Sequence, residues 1–363
     1  MYRILVINPG STSTKVAIFE DERKVSEEKL THRPDELEKY GRIADQEPMR
    51  RAAVEAFISS QGYRIEDFHA IAARGGVLKP IPSGTYRVDE YMVDYLLHRV
   101  PVEHASNLAA VIGYRLGHPH GIPCFITDPV SVDEMWDEAR FSGIPDIERK
   151  SYSHALNTKA VARKVAEELG KSYEELKMVI VHLGCGISVS AHMNGRMVDV
   201  NNANDEGPFS PERTGELPVG DVVREAYSGK YTAREHKKRF VGKGGLVAYL
   251  GTNDLREAFE KAESSENARL VLEAMAYQIA KEIGGMCAIL GSNPDAIVIT
   301  GGMAHSQRFV QMILPYISRF GLVTVVPGEF EMEALALGAL RVLRGEESAR
   351  DYKEAVQGRE TEG

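Results

Sequence analysis

The sequence predicts an α/β protein made of two similar halves. A strand, a glycine-containing turn and a returning strand occur at residues 2–19 and again at residues 178–192, and a long amphipathic helix follows the second hairpin. When Gly10 is placed on Gly184, the turns and the strands after them correspond, although few residues are identical. Because no linker composition marks a boundary, the repeat alone places the boundary between the halves near residue 150.

The first half begins with a β-hairpin. Residues 2–7 are apolar and predict a buried strand, residues 8–14 predict a turn rich in hydroxyl side chains, and residues 15–19 predict the returning strand. At the other end of the chain a helix begins near Glu333. The polar residues beyond Gly345 predict a mobile segment or a short exposed helix.

The second half contains another hairpin and two long helices. Apolar residues spaced three, four and seven apart predict a helix over about residues 266–285. The Asn194-Gly195 pair is a strong hairpin signal after the second returning strand. The other predicted elements are a helix at about 153–169, strands at 178–182 and 187–192, and a strand at 296–300 that ends at Gly301-Gly302.

Composition argues against several classes of protein. The 363 residues carry 44 Lys and Arg against 53 Asp and Glu, a formal net charge of −9, whereas nucleic-acid binding needs a basic face. There is no run of 18 apolar residues, and the apolar run near the N-terminus is too short for a signal peptide. Three isolated cysteines predict neither a disulfide framework nor a zinc site. We therefore expect a cytoplasmic protein that binds neither nucleic acid nor membranes.

Two phosphate-binding motifs are incomplete in this sequence. Gly170-Lys171-Ser172 resembles the end of a Walker A motif, but Val165 stands where the first glycine belongs. Gly184-Cys185-Gly186 begins like a dinucleotide-binding fingerprint, but Val189 replaces the third glycine and a strand follows instead of a helix. Neither a P-loop nor a Rossmann site is predicted.

Three glycine turns, each following an apolar strand, are more informative. Glycine lets the backbone approach a ligand closely, and hydroxyls and amide groups then face it. The first turn offers Asn8, Ser11 and Ser13, the second spans His182–Gly186, and the third is Gly301-Gly302. Each alone is explained as a tight turn, but together they predict a site for the phosphates of a nucleotide.

The residues of these turns resemble those of the acetate/butyrate kinase (acetokinase) family. The matching segments are Asn8-Pro-Gly-Ser-Thr-Ser-Thr-Lys15, His182-Leu-Gly-Cys-Gly186 and Thr300-Gly-Gly302, in that order, and the resemblance extends from residue 1 to about residue 345. The family belongs to the larger group of sugar kinases, Hsp70 ATPases and actin. The resemblance therefore implies two ribonuclease-H-like domains with ATP in the cleft between them. We expect residues 1–150, completed by a C-terminal helix at 335–363, to form one domain and residues 151–334 the other.

Further segments match the family in order. They are Ala73-Arg74-Gly75-Gly76, residues 101–108 with His104, Thr127-Asp128, residues 152–157 with His154, Pro211-Glu-Arg213-Thr-Gly215, and Glu333 before Ala-Leu-Ala-Leu. Cys185 replaces the usual asparagine of the second glycine turn, and Thr158 stands where acetate kinases have a second histidine. Together with the shorter chain and residues 126–135 and 139–145, these departures resemble the butyrate kinase branch.

The resemblance implies the reaction carboxylate + ATP ⇌ acyl phosphate + ADP, with ATP as co-substrate and Mg²⁺ as the metal. It makes Arg74, Asp128, His154 and Arg213 catalytic, and Arg74 and His104 substrate-binding. It places the ATP phosphates against Ser11, Ser13, Lys15, His182, Gly184, Gly186, Gly301 and Gly302, and the metal against Asn8, Asp128 and Glu333. It also implies a homo-oligomer.

The residue types suit this chemistry. A carboxylate is already ionised at pH 7, so it needs no general base, and the obstacle is the approach of one anion to another. Arginine binds carboxylates and phosphates with a planar fork, and Mg²⁺ prefers oxygen ligands.

Simpler structural roles remain open for the same residues. Arg74 and Arg213 could instead form structural ion pairs. His154 could be a structural residue at the start of a helix, and Asp128 could form a turn before Pro129. The acidic pairs Asp133-Glu134 and Asp137-Glu138 are expected on a solvated helix face.

Other functions also remain open. The acid is expected to be butyrate, with acetate, propionate or a branched-chain acid as the alternative, since each buried methylene changes the binding free energy by only ~0.8 kcal/mol. A sugar kinase would need a carboxylate base. An ATP-binding regulator or chaperone-like ATPase would need no paired arginines.

Overall fold

A computed structural model describes residues 1–362 of the chain, with side chains as far as residue 358. The strands are β1 (Arg3–Pro9), β2 (Ser13–Glu20), β3 (Arg23–Thr31), β4 (Ala70–Ala73), β5 (Thr85–Arg87), β6 (Cys124–Thr127), β7 (Lys177–Leu183), β8 (Ile187–Met193), β9 (Arg196–Val200), β10 (Ala296–Gly301) and β11 (Val323–Pro327). The helices are α1 (Pro34–Leu37), α2 (Glu47–Ser60), α3 (Glu90–His98), α4 (Asn107–Gly117), α5 (Ala155–Glu168), α6 (Val219–Ala226), α7 (Ala233–Phe240), α8 (Gly245–Leu250), α9 (Leu255–Ser264), α10 (Glu266–Ile289), α11 (Gln307–Ile317), α12 (Glu331–Arg344) and α13 (Tyr352–Glu362). Within residues 1–362, no helix combines the length and the apolar character that crossing a membrane requires.

The chain divides into two compact units. The first comprises residues 1–133 and the residues from Phe330 onward, and the second comprises residues 134–329. Both are mixed α/β units built on one sheet, as the sequence predicts.

The first unit has a six-stranded sheet in the order β3-β2-β1-β4-β6-β5. Strands β1, β2 and β3 form an antiparallel meander, and β4 and β6 then lie parallel to β1. Helices α2, α3 and α4 contribute buried apolar side chains to the same core as β1 and β4. Helix α12 packs against β1, β4 and β6.

The second unit repeats this arrangement. Its sheet has the order β11-β10-β7-β8-β9, in which β7, β8 and β9 form the antiparallel meander and β10 and β11 lie parallel to β7. The helix predicted over about 266–285 is α10, whose apolar residues lie in the core of this unit. The shared strand order confirms that the two hairpins recognised in the sequence begin two similar folds.

The boundary between the units lies earlier than the repeat suggests, between residues 133 and 134 instead of 150 and 151. Hydrogen bonds explain the difference. The Glu134 carboxylate accepts bonds from Lys159 Nζ at 2.6 Å and from Met197 N at 3.0 Å. Arg149 bonds to the Asp199 carboxylate at 3.1 Å. Residues 134–150 therefore line the second sheet, although they precede its first strand.

Two further expectations about exposure need correction. Asp133 and Glu134 are buried, not solvated, because Glu134 neutralises the fully buried Lys159; Asp137 and Glu138 are exposed as expected. The polar tail is also not simply exposed or mobile. It forms α13, which buries Tyr352 in the core of the first unit. Its single aromatic side chain was too weak a signal to predict this packing.

Candidate active site

The first unit gathers three predicted residues at one edge of its sheet. Strands β1, β4 and β6 are parallel, so their carboxyl ends lie at the same edge. Asn8 is the penultimate residue of β1, Arg74 follows β4, and Asp128 follows β6. The backbone N–H of Arg74 donates to Ile7 O at 2.9 Å, which continues the β1–β4 ladder to this point.

Asn8 and Arg74 both contact the carboxylate of Glu331, which is not among the site residues predicted from the sequence. Asn8 Nδ2 donates to Glu331 Oε2 at 2.9 Å, and Arg74 Nη1 lies 2.5 Å from the same oxygen. Glu331 is the first residue of α12. That helix approaches the sheet closely because Gly338 lies against Thr127, where a Cβ would overlap the threonine side chain.

Glu333, the predicted metal ligand, lies elsewhere. Its carboxylate pairs with Lys24 Nζ at 2.9 Å, and both side chains are more than a third exposed. Two residues along an α-helix correspond to a rotation of about 200°, so Glu331 and Glu333 face opposite sides of α12. Glu331, and not the predicted Glu333, is therefore the glutamate of α12 that lies with Asn8 and Arg74.

Asp128 is almost completely buried. Its Oδ1 accepts hydrogen bonds from Ser83 Oγ at 2.6 Å and from Gly84 N at 2.8 Å. Its φ is +39°, which is unusual for a residue other than glycine. Such strain often marks a functional position, whereas an ordinary turn residue before a proline has no need of burial.

The loop after Arg74 depends on two glycines. A Cβ at Gly75 would overlap Pro129, and a Cβ at Gly76 would overlap Asn107. Asn107 Oδ1 accepts a bond from Val77 N at 2.8 Å and so fixes the loop to the start of α4. Asn107 lies in the segment matched around His104, but it is not among the site residues predicted from the sequence.

His104 stands just before α4. The backbone N–H of Ser106 donates to His104 Nδ1 at 3.2 Å, so the ring carries its proton on Nε2 when neutral. Although much of the residue is exposed, partial burial of the ring and the charge of Arg74 lower its pKa. His104 is therefore neutral at pH 7 and can donate one hydrogen bond from Nε2.

The first glycine turn is exposed at Ser11 and half-buried at Ser13. Gly10 N donates to Ser13 O at 2.7 Å and closes the turn. Lys15 is exposed and lies opposite Asn8 in the β1–β2 ladder. The turn therefore presents hydroxyl groups and a cation on the same hairpin.

The second unit places His182 at the position equivalent to Asn8 when Gly10 is placed on Gly184. His182 is buried at the end of β7, and its ring stacks on that of His154, with centroids 3.8 Å apart and planes 8° from parallel. His154 Nδ1 lies 3.0 Å from Ser188 Oγ, one strand away. The two predicted histidines thus form one cluster.

Asn157 determines which ring nitrogen of His182 carries the proton. Its Nδ2 lies 3.0 Å from His182 Nδ1 and 3.4 Å from Thr300 Oγ1. Since Nδ2 is a donor, His182 Nδ1 accepts and Nε2 carries the proton. His182 Nε2 points toward Glu329, whose carboxylate oxygen is 3.9 Å away.

The third glycine turn lies beside this cluster. Gly301 has a φ of +91°, and a Cβ there would overlap the backbone of Leu183. Gly301 and Gly328 also exchange two backbone hydrogen bonds of 3.1 Å. A Cβ at Gly302 would meet no atom within 4 Å of the described chain, so a side chain there is sterically tolerated.

Arg213 completes this group. Its guanidinium occupies the space where a Gly186 side chain would stand, and its Nη1 donates to Ala203 O at 2.8 Å. The backbone N–H of Arg213 donates to Ser210 Oγ, which in turn donates to Cys185 O at 2.5 Å. Burial lowers the pKa of Arg213, although an arginine remains charged. The second glycine turn and the arginine loop are therefore one assembly.

Cys185 is not a candidate nucleophile. It is exposed as a residue, but partial burial of the thiol and the charge of Glu212 raise its pKa. The thiol therefore stays protonated at neutral pH. Glu282, on α10, is more unusual: burial, helped by the charge of Glu216, raises its pKa to about 7.

Mg²⁺ fits the oxygen donors of the first unit. Asn8 uses Nδ2 toward Glu331, so Oδ1 is the atom it offers, and the carboxylates of Asp128 and Glu331 follow at the same sheet edge. Among residues 1–362, no group of three or more His, Cys, Asp or Glu side chains is arranged to hold a metal ion. Magnesium in proteins usually keeps several water ligands and binds through one or two carboxylates together with substrate phosphates.

Comparison with known proteins identifies the family. The profile of the acetokinase family matches residues 147–327. A probable butyrate kinase of Thermotoga petrophila is 71% identical over 98% of this chain and 100% of its own length. A probable butyrate kinase 2 of Caldanaerobacter subterraneus subsp. tengcongensis is 50% identical over 97% of this chain and 100% of its own.

The chain belongs to the acetokinase family. As an acetokinase it is a kinase that phosphorylates a carboxylate with ATP, as the resemblance of its motifs to the family implies.

Solved structures show the fold of this acetokinase. The acetate kinase of Porphyromonas gingivalis matches with a TM-score of 0.77 at 18% identity, over 94% of this chain and 100% of that one. A ROK family protein of Streptococcus pneumoniae matches with a TM-score of 0.52 at 13% identity, over 95% and 99%. The fold class predicted from the sequence, that of the sugar kinases and their relatives, is confirmed.

Proposed function

We propose that this acetokinase phosphorylates butyrate: butyrate + ATP ⇌ butanoyl phosphate + ADP. The main support is its 71% identity to a probable butyrate kinase along almost the whole chain. The two groups of polar residues at the sheet edges supply the chemistry that such a reaction needs.

The reaction is a direct in-line transfer. A butyrate oxygen attacks the γ-phosphorus of ATP, the bond between that phosphorus and the β,γ-bridging oxygen breaks, and ADP leaves with the electron pair. No proton has to be removed from the acid. Catalysis then consists of positioning and of neutralising charge on the oxygens around phosphorus.

The first unit supplies the acid-binding residues in this proposal. Arg74 is one-quarter exposed, and Glu331 holds its Nη1. The rest of its planar fork can bind the butyrate carboxylate. Neutral His104 donates one hydrogen bond to the same carboxylate from Nε2.

The second unit supplies the residues that act on the transferring phosphoryl group in this proposal. Arg213 brings a buried positive charge to the glycine turn at Gly186, where it stabilises the charge that develops on the transferring phosphoryl group. His154 donates to one oxygen of that group, and His182 supports its ring through the stack. We assign the remaining ATP phosphate contacts to Ser11, Ser13, Lys15 and the backbone of Gly184, Gly186, Gly301 and Gly302.

We assign the Mg²⁺ that accompanies ATP to Asn8, Asp128 and Glu331, with Glu331 in place of Glu333. When bound, the ion neutralises charge on the β- and γ-phosphate oxygens. The homo-oligomer implied by the family resemblance stays a prediction.

The preference for butyrate is expected to be moderate. Butyrate has two methylenes more than acetate, each worth ~0.8 kcal/mol when buried. The difference of roughly 1.6 kcal/mol corresponds to a ratio of about 15 in kcat/KM, by the rule of tenfold for each 1.4 kcal/mol.

The test is trapping of the acyl phosphate with hydroxylamine. Purified protein receives MgATP with acetate, propionate, butyrate, isobutyrate or valerate, and the hydroxamate is measured. Arg74→Ala, purified in the same way, shows whether the signal comes from this protein or from a kinase of the expression host. We expect the highest kcat/KM with a four-carbon acid and a much weaker signal from the variant.

Other outcomes separate the alternatives. A maximum with acetate or propionate would keep the reaction but refute the choice of acid. Hydroxamate formation that Arg74→Ala does not reduce would contradict the proposed site, because it would come either from a host kinase or from a reaction that does not use Arg74. No acid-dependent product with any acid would contradict the proposed reaction.

A further inference from the structure

Arg50 is a buried cation directly behind the first glycine turn. It lies on α2, and no larger side chain in the described part of the chain is fully buried. Burying a charge costs free energy unless hydrogen bonds compensate it. The partners of Arg50 therefore indicate what it does.

Its guanidinium binds the inner side of the turn. Nη1 donates to Gly10 O at 2.9 Å and to Ser13 O at 3.2 Å, and Nη2 donates to Ser11 O at 2.9 Å. Nη1 also reaches Thr14 Oγ1 at 3.2 Å. Three carbonyl oxygens of one five-residue turn are thus held by a single side chain.

No carboxylate shares this charge among the described residues. The remaining partner is Gln46 Oε1, which accepts from Nε at 3.1 Å and from Nη2 at 3.0 Å. Burial alone lowers the pKa of Arg50, and an arginine stays charged nevertheless. The turn therefore lies over a positive charge that is hydrogen-bonded but that no carboxylate of the described residues neutralises.

The other side of the turn is held by a neutral group. Thr14 Oγ1 lies 2.8 Å from His32 Nε2, and His32 N donates to Thr12 O at 2.9 Å. Burial and the charge of Arg50 lower the pKa of His32, so the ring stays uncharged at pH 7. Arg50 is consequently the cation in this buried cluster.

The orientation of the turn follows from these bonds. Carbonyl oxygens repel phosphate, and Arg50 keeps three of them turned inward. The amide groups of Ser11 and Thr12 have no acceptor within residues 1–362, and both residues are exposed. Amides that point outward from a turn attract anions.

We propose that Arg50 is a positioning residue for nucleotide phosphate. It holds the turn at residues 10–14 so that the backbone N–H groups of Ser11 and Thr12 face outward, and it adds positive potential from behind without touching the ligand. The inference rests on the proposed function, because it takes this turn to bind ATP.

The experiment compares Arg50→Ala and Arg50→Lys with Arg51→Ala. Arg51 is the next residue of α2, is one-third exposed, and pairs with Glu47 and Glu55, so its removal takes away a charge without touching the turn. For each variant, KM for MgATP, KM for butyrate, kcat and the urea midpoint are measured. Activity of Arg50→Ala is also measured with millimolar guanidinium, with ammonium as control.

We expect Arg50→Ala to raise KM for MgATP at least tenfold, with KM for butyrate within about twofold of wild type. Arg50→Lys should lie between, since it keeps the charge but not the fork. Guanidinium should lower KM for MgATP of Arg50→Ala, and ammonium should not. Arg51→Ala should leave both KM values unchanged.

The inference is overturned if Arg50→Ala loses stability but keeps the wild-type KM for MgATP and kcat, or if both KM values rise equally. If Arg50→Ala does not fold, the same criteria apply to Arg50→Lys. If the wild-type protein is itself inactive with every acid, the proposed function is overturned. That result is distinct from an effect seen only in the Arg50 variants.

Discussion

Exchanging the two glutamates at the start of α12 for glutamine tests the site most directly. Glu331→Gln and Glu333→Gln remove the same charge from the same helix, two residues apart. Glu331 accepts bonds from Asn8 and Arg74, whereas Glu333 pairs with the exposed Lys24. The family resemblance selects Glu333, and the geometry selects Glu331.

The magnitude follows from these contacts. A hydrogen bond to a charged group contributes roughly 1.5–3 kcal/mol. Loss of one such bond at Glu331 lowers kcat/KM by about 10- to 150-fold, if the bond shapes the transition state. A surface ion pair contributes ~0–1 kcal/mol, so Glu333→Gln should change kcat/KM by no more than about fivefold, which is that energy expressed as a rate ratio.

The assay is hydroxamate formation with butyrate at several Mg²⁺ concentrations. If Glu331 helps to hold the metal, excess Mg²⁺ recovers part of the loss in Glu331→Gln. A urea titration of both variants separates lost activity from lost folding. A larger loss in Glu333→Gln than in Glu331→Gln would refute the reasoning from geometry and restore the motif match.

Three further predictions concern the second unit. Arg213→Ala should lower kcat on the order of 10²–10³-fold, as loss of a transition-state donor does, measured by single-turnover ATP consumption. Gly301→Ala should lower the free energy of unfolding by roughly 1–3 kcal/mol or more, because the residue has a positive φ and the added Cβ would overlap the backbone of Leu183. Gly302→Ala should not lower it, because its Cβ would meet no atom of the described chain. Burial raises the pKa of Glu282 to about 7 from an ordinary 4.5. The stabilisation by its protonated form is therefore complete below pH 4.5 and is lost as the pH rises through 7. Glu282→Gln should be more stable than wild type at pH 8, by on the order of 1 kcal/mol or more.

Each of these predictions has a clear opposite. A nearly unchanged kcat would leave Arg213 as a structural ion-pair residue. Equal stability of the two glycine variants would mean that the backbone at 301 relaxes easily. A gain for Glu282→Gln that is the same at pH 5 and pH 8 would place its origin in packing instead of titration.

Local sequence patterns were sufficient for the hairpins and the long helices. The strand at residues 2–7 and the helix near 266–285 were predictable because apolar periodicity reports which face of an element is buried. The three glycine turns were recognisable as a set because each follows an apolar strand, although any one of them alone is explained as a tight turn. The motif around Arg213 identified a loop, but it did not show that this loop fills the space beside Gly186.

Long-range partners were not predictable in the same way. Nothing in the sequence indicated that Arg50 and Gln46 are buried partners, since an arginine four residues after a glutamine on a polar helix is typical of a surface position. Glu331 and Glu333 differ by two positions, and only the packing of α12 on the sheet decides which of them faces Asn8. Asn157 and Asn107 lie within matched segments, but their hydrogen bonds join elements far apart in the chain.

The sequence by itself determined the two-fold repeat, the family and the reaction class, because these depend on residue types and their local order. The tertiary structure decided which carboxylate joins Asn8 and Arg74, which histidines stack, and which cation lies behind the first glycine turn. These arrangements depend on contacts between residues tens to hundreds of positions apart. Such contacts are fixed by the packing of strands and helices, and no spacing along the chain records them.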